Sequence, residues 1–273
     1  MASSPRSSGS SRGRSGGGGR RDDDRRRDSR PAKKPGTPGS PPRSRDRNAD
    51  DATGRRKPLT IQRGGPLPRW VREEIVRSTP KDRREAALGE LSAGLEAFSE
   101  ERYKKAASAL RKAKDLAPRA ATVRELLGLA AYRSDQWEEA LRELRTFRRL
   151  TGATTHMPVE LDCLRALDRP DDAIERVWTL YQELDADRDT DDEMRVVFAS
   201  HLLDRGRLAE AWRVIKPGRL IANAPEPLIR RWAVAARVAV ASGDRDAART
   251  LIDAIRHQAP DVDWLDELDA LLD

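Results

Sequence analysis

Residues 91–118 read LSAGLEAFSEERYKKAASALRKAKDLAP, and residues 125–152 read ELLGLAAYRSDQWEEALRELRTFRRLTG. Gly94, Tyr103, Ala106 and Leu110 of the first stretch reappear as Gly128, Trp137, Ala140 and Leu144 of the second. Each pair is 34 residues apart, as in 128 − 94. A fixed period of this length describes a helix–turn–helix unit that cannot bury its apolar face alone and stacks on copies of itself. The glycine lets the first helix of a unit approach the second closely. The alanine sits where the two cross, and the large residue at Tyr103 or Trp137 fills the groove beside the turn.

Period, glycine, alanine and the closing Pro118 resemble the tetratricopeptide repeat (TPR) family, although Gly152 stands where the second unit's proline would be. The resemblance implies an all-α fold: an α-solenoid of about five helix pairs. Later units drift. Leu161, Leu164, Ala173, Val177 and Leu180 form a third, with Pro170 where the two earlier units carry an aromatic. Phe198, Leu202, Gly206, Leu208, Ala211 and Ile215 form a fourth. Trp232, Ala236, Val240, Gly243, Ala248, Ile252 and Pro260 form a fifth. Residues 262–272 read as an amphipathic helix that caps the solenoid. Ahead of the repeats, Trp70, Val71 and Ile75 fall at helical spacing and form a stripe that docks on the first unit. Thr79, Pro80 and Asp82 then read as the start of the next helix, with Thr79 as its cap.

Residues 1–58 contain no Leu, Ile, Val, Phe, Tyr or Trp, so they cannot offset the entropy of ordering. We expect residues 1–67 to be a disordered basic tail and linker, ending in Gly64-Gly65-Pro66-Leu67-Pro68, with residues 68–273 as the helical domain. Residues 1–58 hold 14 Arg and 3 Lys against 7 Asp, a net of +10. The chain as a whole is +7, so residues 59–273 carry 7 − 10 = −3. A basic arm on a mildly acidic body attracts polyanions. The tail, the Arg/Ala/Asp bias and the Gly-Gly-Pro-Leu-Pro-Arg-Trp-Val-Arg-Glu-Glu linker also resemble TPR proteins of high-GC actinobacteria. The single cysteine, Cys163, excludes an intrachain disulfide. No apolar run suits a leader or a membrane span, which points to a cytoplasmic protein.

The search for chemistry finds little. His156, His201 and His257 have no neighbouring His or Cys at ligand spacing, and Cys163 reads as a small core residue. Asp185, Asp187 and Asp189 open like a calcium loop, but Thr190 and Val196 stand where it needs Gly and Glu. They read instead as the capped start of a helix. Gly-x-Ser-x-Gly occurs at Gly9–Gly13 and Gly13–Gly17, inside the tail, where no strand-to-helix turn can present the serine. No cofactor, metal or catalytic residue is expected.

Two surfaces remain for binding. TPR proteins bind peptides on the concave face made by the first helices. The resemblance places Leu91, Leu95 and Phe98 there from the first unit, and Glu125, Leu129, Tyr132 and Arg133 from the second. Leu91 and Leu95 stand where the family's chaperone-binding branch has Lys and Asn, which speaks against that ligand. A partner protein or peptide is therefore the leading expectation. The rival is an RNA- or ribosome-associated factor. It would use tail cations such as Arg25, Arg26 and Arg27, and a convex ladder of Arg111, Lys114, Arg142, Arg145, Arg148 and Arg149. Glu138, Glu139 and Glu143 stand on the same helix to offset that ladder. The sequence names neither the partner nor the oligomeric state.

Overall fold

The computed structural model describes residues 67–184 and 186–272. The tail, the linker up to Pro66, Arg25, Arg26 and Arg27, and both Gly-x-Ser-x-Gly matches lie outside the described residues. Among the described residues there are twelve α-helices, one 3₁₀ turn and no strand. In order they are α1 (Arg69–Ser78), the 3₁₀ turn (Lys81–Arg83), α2 (Arg84–Ser99), α3 (Tyr103–Leu116), α4 (Ala121–Tyr132), α5 (Trp137–Thr151) and α6 (Met157–Ala166). There follow α7 (Asp171–Gln182), α8 (Arg188–Asp204), α9 (Leu208–Ile215), α10 (Glu226–Ala241), α11 (Arg245–Gln258) and α12 (Leu265–Asp269). Helices α2–α3, α4–α5, α6–α7, α8–α9 and α10–α11 are the five expected pairs of an α-solenoid.

The glycines do what the period requires. A β-carbon added at Gly94 would lie 2.6 Å from the Leu110 side chain, and one at Gly128 would lie 2.6 Å from Leu144. Each helix pair therefore closes over a missing side chain. Ala106, Ala140, Ala211 and Ala248 have no exposed surface.

All five pairs use one turn. Glu101, Asp135, Asp168, Gly206 and Gly243 have positive φ. The next residue's N–H then donates back to the carbonyl five positions earlier: Arg102 to Ala97, Gln136 to Ala131, Arg169 to Leu164, Arg207 to Leu202 and Asp244 to Ala239, at 2.9–3.0 Å. This is the Schellman closure of a helix C-terminus.

The third unit departs from the others in two ways. Pro170 is an extra residue between turn and helix, so α7 begins at Asp171 and its buried contact residue is Ile174. Ala173, expected at the crossing, is only half-buried; Pro170 stands two residues past the turn residue, as Tyr103 and Trp137 do, and holds the position before the helix without a side-chain hydrogen bond. In the first helix, the position seven residues before the turn residue is Gly94, Gly128, Ala199 or Ala236 in four units. In the third it is Leu161, fully buried. A leucine leaves no room for the close crossing. Accordingly α6 and α7 pack less extensively than the two helices of the other four pairs, and α7 meets α8 through long side chains such as Trp178 against Phe198.

Two smaller expectations need correction and one holds. Thr79 caps nothing: it ends α1 and is buried, while its carbonyl accepts from Arg84 Nε at 3.0 Å. The Asp187 reading holds, with its carboxylate accepting from the Thr190 N–H at 2.8 Å to start α8. The final helix is shorter than residues 262–272: only Leu265–Asp269 is helical, and Leu265 and Leu268 bury against α10 and α11.

Candidate protein-binding faces

On the first-helix side, Leu95 and Phe98 of α2 and Leu129 and Tyr132 of α4 are half-buried, and Arg133 is exposed. The two aromatics are held rather than loose. Phe98 meets Tyr103 edge-on with ring centres 5.2 Å apart, and Tyr132 meets Trp137 the same way at 5.4 Å. The Tyr132 hydroxyl donates to Asp162 at 2.6 Å; burial, then that carboxylate, raises its pKa far above the usual phenol range. Asp162 also receives Arg165 at 2.6 Å, and Arg165 reaches Asp204 at 3.0 Å. A polar line thus ties α4, α6 and α8 across this side.

Two of the residues expected here do something else. Leu91 has no exposed surface and packs in the interior, so it cannot touch a ligand. Glu125 is buried and lies 2.9 Å from His156 Nε2, joining α4 to the start of α6.

The second-helix ladder is present, but it is not a free row of charge. Arg111 is bidentate to Glu139 at 2.9 and 2.5 Å, which raises its pKa further. Lys114, Arg124 and Arg142 converge on Glu143, whose side chain has no exposed surface. Burial pushes the Glu143 carboxyl up, but its hydrogen bond to Arg124 and the surrounding cations outweigh that and hold it below the ordinary range. Arg148 grips the buried Glu160 of the next unit at 2.9 and 3.1 Å, and Arg145 lies 3.8 Å from the same carboxylate. Arg149 alone of the six has no carboxylate partner among the described residues. Glu143, expected to offset the ladder, does so from a buried position. Sequence reading missed Glu160 because that glutamate belongs to the following unit.

Displacement of α7 opens a groove on each of its flanks. Toward α8 and α9 the groove is about 410 Å³, and Trp178 lies across it, stacked on Phe198 at 4.6 Å. Its cations are matched: Arg195 by Asp191, and Arg207 by Glu175 and Glu210. Toward α5 the groove is about 460 Å³ and carries arginines and leucines.

Among the described residues no three His, Cys, Asp or Glu side chains gather to hold a metal ion. Cys163 is buried, and its thiol pKa is pushed up to about 12 by burial and then by Asp162 and Glu160. No described helix is long and apolar enough to cross a membrane.

No family model matches the sequence, and no curated protein matches it. Among solved structures the chain is similar to the apo form of the quorum sensor NprR from B. thuringiensis, with a TM-score of 0.56 at 14% identity. The match covers 70% of this chain and 58% of that one, so the chain spans a little over half the length of this neighbour. The fold is a TPR-like solenoid. At this identity the likeness concerns the fold alone.

Proposed function

We propose that this chain is a non-enzymatic interaction module that holds a peptide or partner protein on its first-helix face. One observation carries the reading. Leu95, Phe98, Leu129 and Tyr132 stay half-exposed in a row, beside an exposed Arg133 that has no ion-pair partner among the described residues. Held aromatics beside a free arginine are the residue types that most often anchor interfaces. The TPR-like fold shared with a quorum sensor supports a binding role at a coarse level only. The RNA-binding rival loses support here, because Glu139, Glu143 and Glu160 neutralise most of its ladder. A cytoplasmic location belongs to the same reading.

A photo-crosslinking side chain at Leu129, in the full chain in cells, tests it. The expected result is one discrete crosslinked polypeptide that survives nuclease and disappears in a Phe98→Ala, Arg133→Ala background. Crosslinks that vanish on nuclease treatment, or that persist unchanged in the double variant, would sink the reading. Circular dichroism on the double variant guards against mistaking lost packing around Tyr103 for lost binding.

A further inference from the structure

We infer that the groove between α5 and α7 is a second docking site, for an acidic amphipathic helix of a partner protein. It lies on the second-helix side, apart from the face proposed above. Three guanidiniums, of Arg145, Arg148 and Arg149, border it, and one buried carboxylate, Glu160, serves them. Arg148 takes both oxygens of Glu160 at 2.9 and 3.1 Å. Arg145 reaches that carboxylate only at 3.8 Å, and Arg149 has no carboxylate among the described residues. The groove is thus positively charged beyond what its own acid balances.

Its other wall is apolar. Leu180, near the end of α7, and Leu184, two residues past its last helical residue, are 37% and 39% exposed. Val76, Leu150, Ile221 and Leu271 are as open elsewhere among the described residues; Leu180 and Leu184 differ in lining one groove together with arginines. In the first, second, fourth and fifth units a small residue lets the second helix settle onto the first. In the third, Leu161 stands in that place; α7 buries Ile174, Val177 and Tyr181 and leaves Leu180 on its outer side.

A cleft with leucines on one wall and arginines on the other suits helix-in-groove recognition. Charge complementarity sets the ligand's chemistry: carboxylates toward Arg145 and Arg149, aliphatic side chains toward Leu180 and Leu184. Nucleic acid fits worse. The groove offers no aromatic for a base to stack on, and its leucines give a phosphate backbone nothing.

The test uses the full chain and three labelled probes: an amphipathic Leu/Glu helix peptide, its Leu/Lys counterpart, and polyglutamate. The Leu/Glu peptide should bind one-to-one and slow amide exchange in the last turns of α5 and α7. Arg149→Glu with Leu184→Ser, both at exposed positions, should weaken it by about tenfold or more. Equal binding to the double variant, to the Leu/Lys peptide or to polyglutamate overturns the proposal. So does protection confined to α2 and α4. Pelleting with phosphatidylserine vesicles, or concentration-dependent self-association, that the same double variant abolishes would assign the groove to lipid or to a second copy, and would equally overturn it.

Discussion

At the residue scale, two glycines in the same kind of helix should respond to alanine with opposite signs. Gly89 lies in α2 with open space around it, so Gly89→Ala should stabilise by about 0.5–1 kcal/mol through helix propensity. At Gly128 the added methyl would fall 2.6 Å from Leu144, deep in a closed crossing. Forcing volume into a packed site typically costs about 1–3 kcal/mol, enough to reverse the propensity gain. Thermal unfolding of the two variants checks this, and stabilisation by both would mean the α4–α5 crossing is looser than described. Gly94, Gly128, Ala106 and Ala140 were legible in the sequence because close helix crossings admit little else. Leu161 was not. In the sequence it reads as one more apolar residue in a helical stripe, and only the turn at Asp168 shows that it occupies the glycine's place.

At the element scale, buried carboxylates join helices that periodicity treats separately. Glu74 of α1 accepts the Ala121 N–H at 2.5 Å and the Thr122 N–H at 3.2 Å, and also takes the Thr122 hydroxyl. It caps α4, whose own N-cap residue, Ala120, has no side chain for the task. Glu74→Ala should lower stability by about 0.5–2 kcal/mol and speed amide exchange in both α1 and the first turn of α4. A change confined to α1 would show that the cap is not the link. Glu143 makes a second case, read through pH. Its folded pKa lies below the ordinary 4.5, so its contribution is complete above that value and is lost as pH falls through the lowered one. Glu143→Gln leaves Lys114, Arg124 and Arg142 facing a neutral amide and should cost about 3–5 kcal/mol near neutral pH. The gap to the parent chain should then narrow steadily below pH 4.5 in denaturant titrations. A gap constant across that range would mean Glu143 acts by packing alone. Helical periodicity gave the five pairs, but not these ties. A glutamate on a charged helix reads as solvated until the helix that covers it is known.

At the scale of the whole molecule, a stack of repeats is held by nearest neighbours, so one weak junction matters more than the average. The third unit is that junction. Helix α7 packs on α6 less extensively than the second helix of any other pair does on its first, its turn carries an extra proline, and Leu180 and the nearby Leu184 remain in water. The units before it close over Gly94 and Gly128, and those after it close over Ala199 and Ala236. Local opening free energies follow buried contact, so α7 should open well below the cost of global unfolding. Native-state hydrogen exchange in low denaturant would show this. Amides of α7 should exchange first among the helices from α2 to α11, with those of α4 and α5 among the last. Binding of the Leu/Glu peptide should raise the α7 opening energy toward theirs, because a helix seated between α5 and α7 supplies the neighbour that α7 lacks. If α7 instead exchanges together with α4 and α5 in the free protein, then the leucine at position 161 is accommodated without loosening the stack. The open flanks of α7 would then be a rigid feature rather than a yielding one.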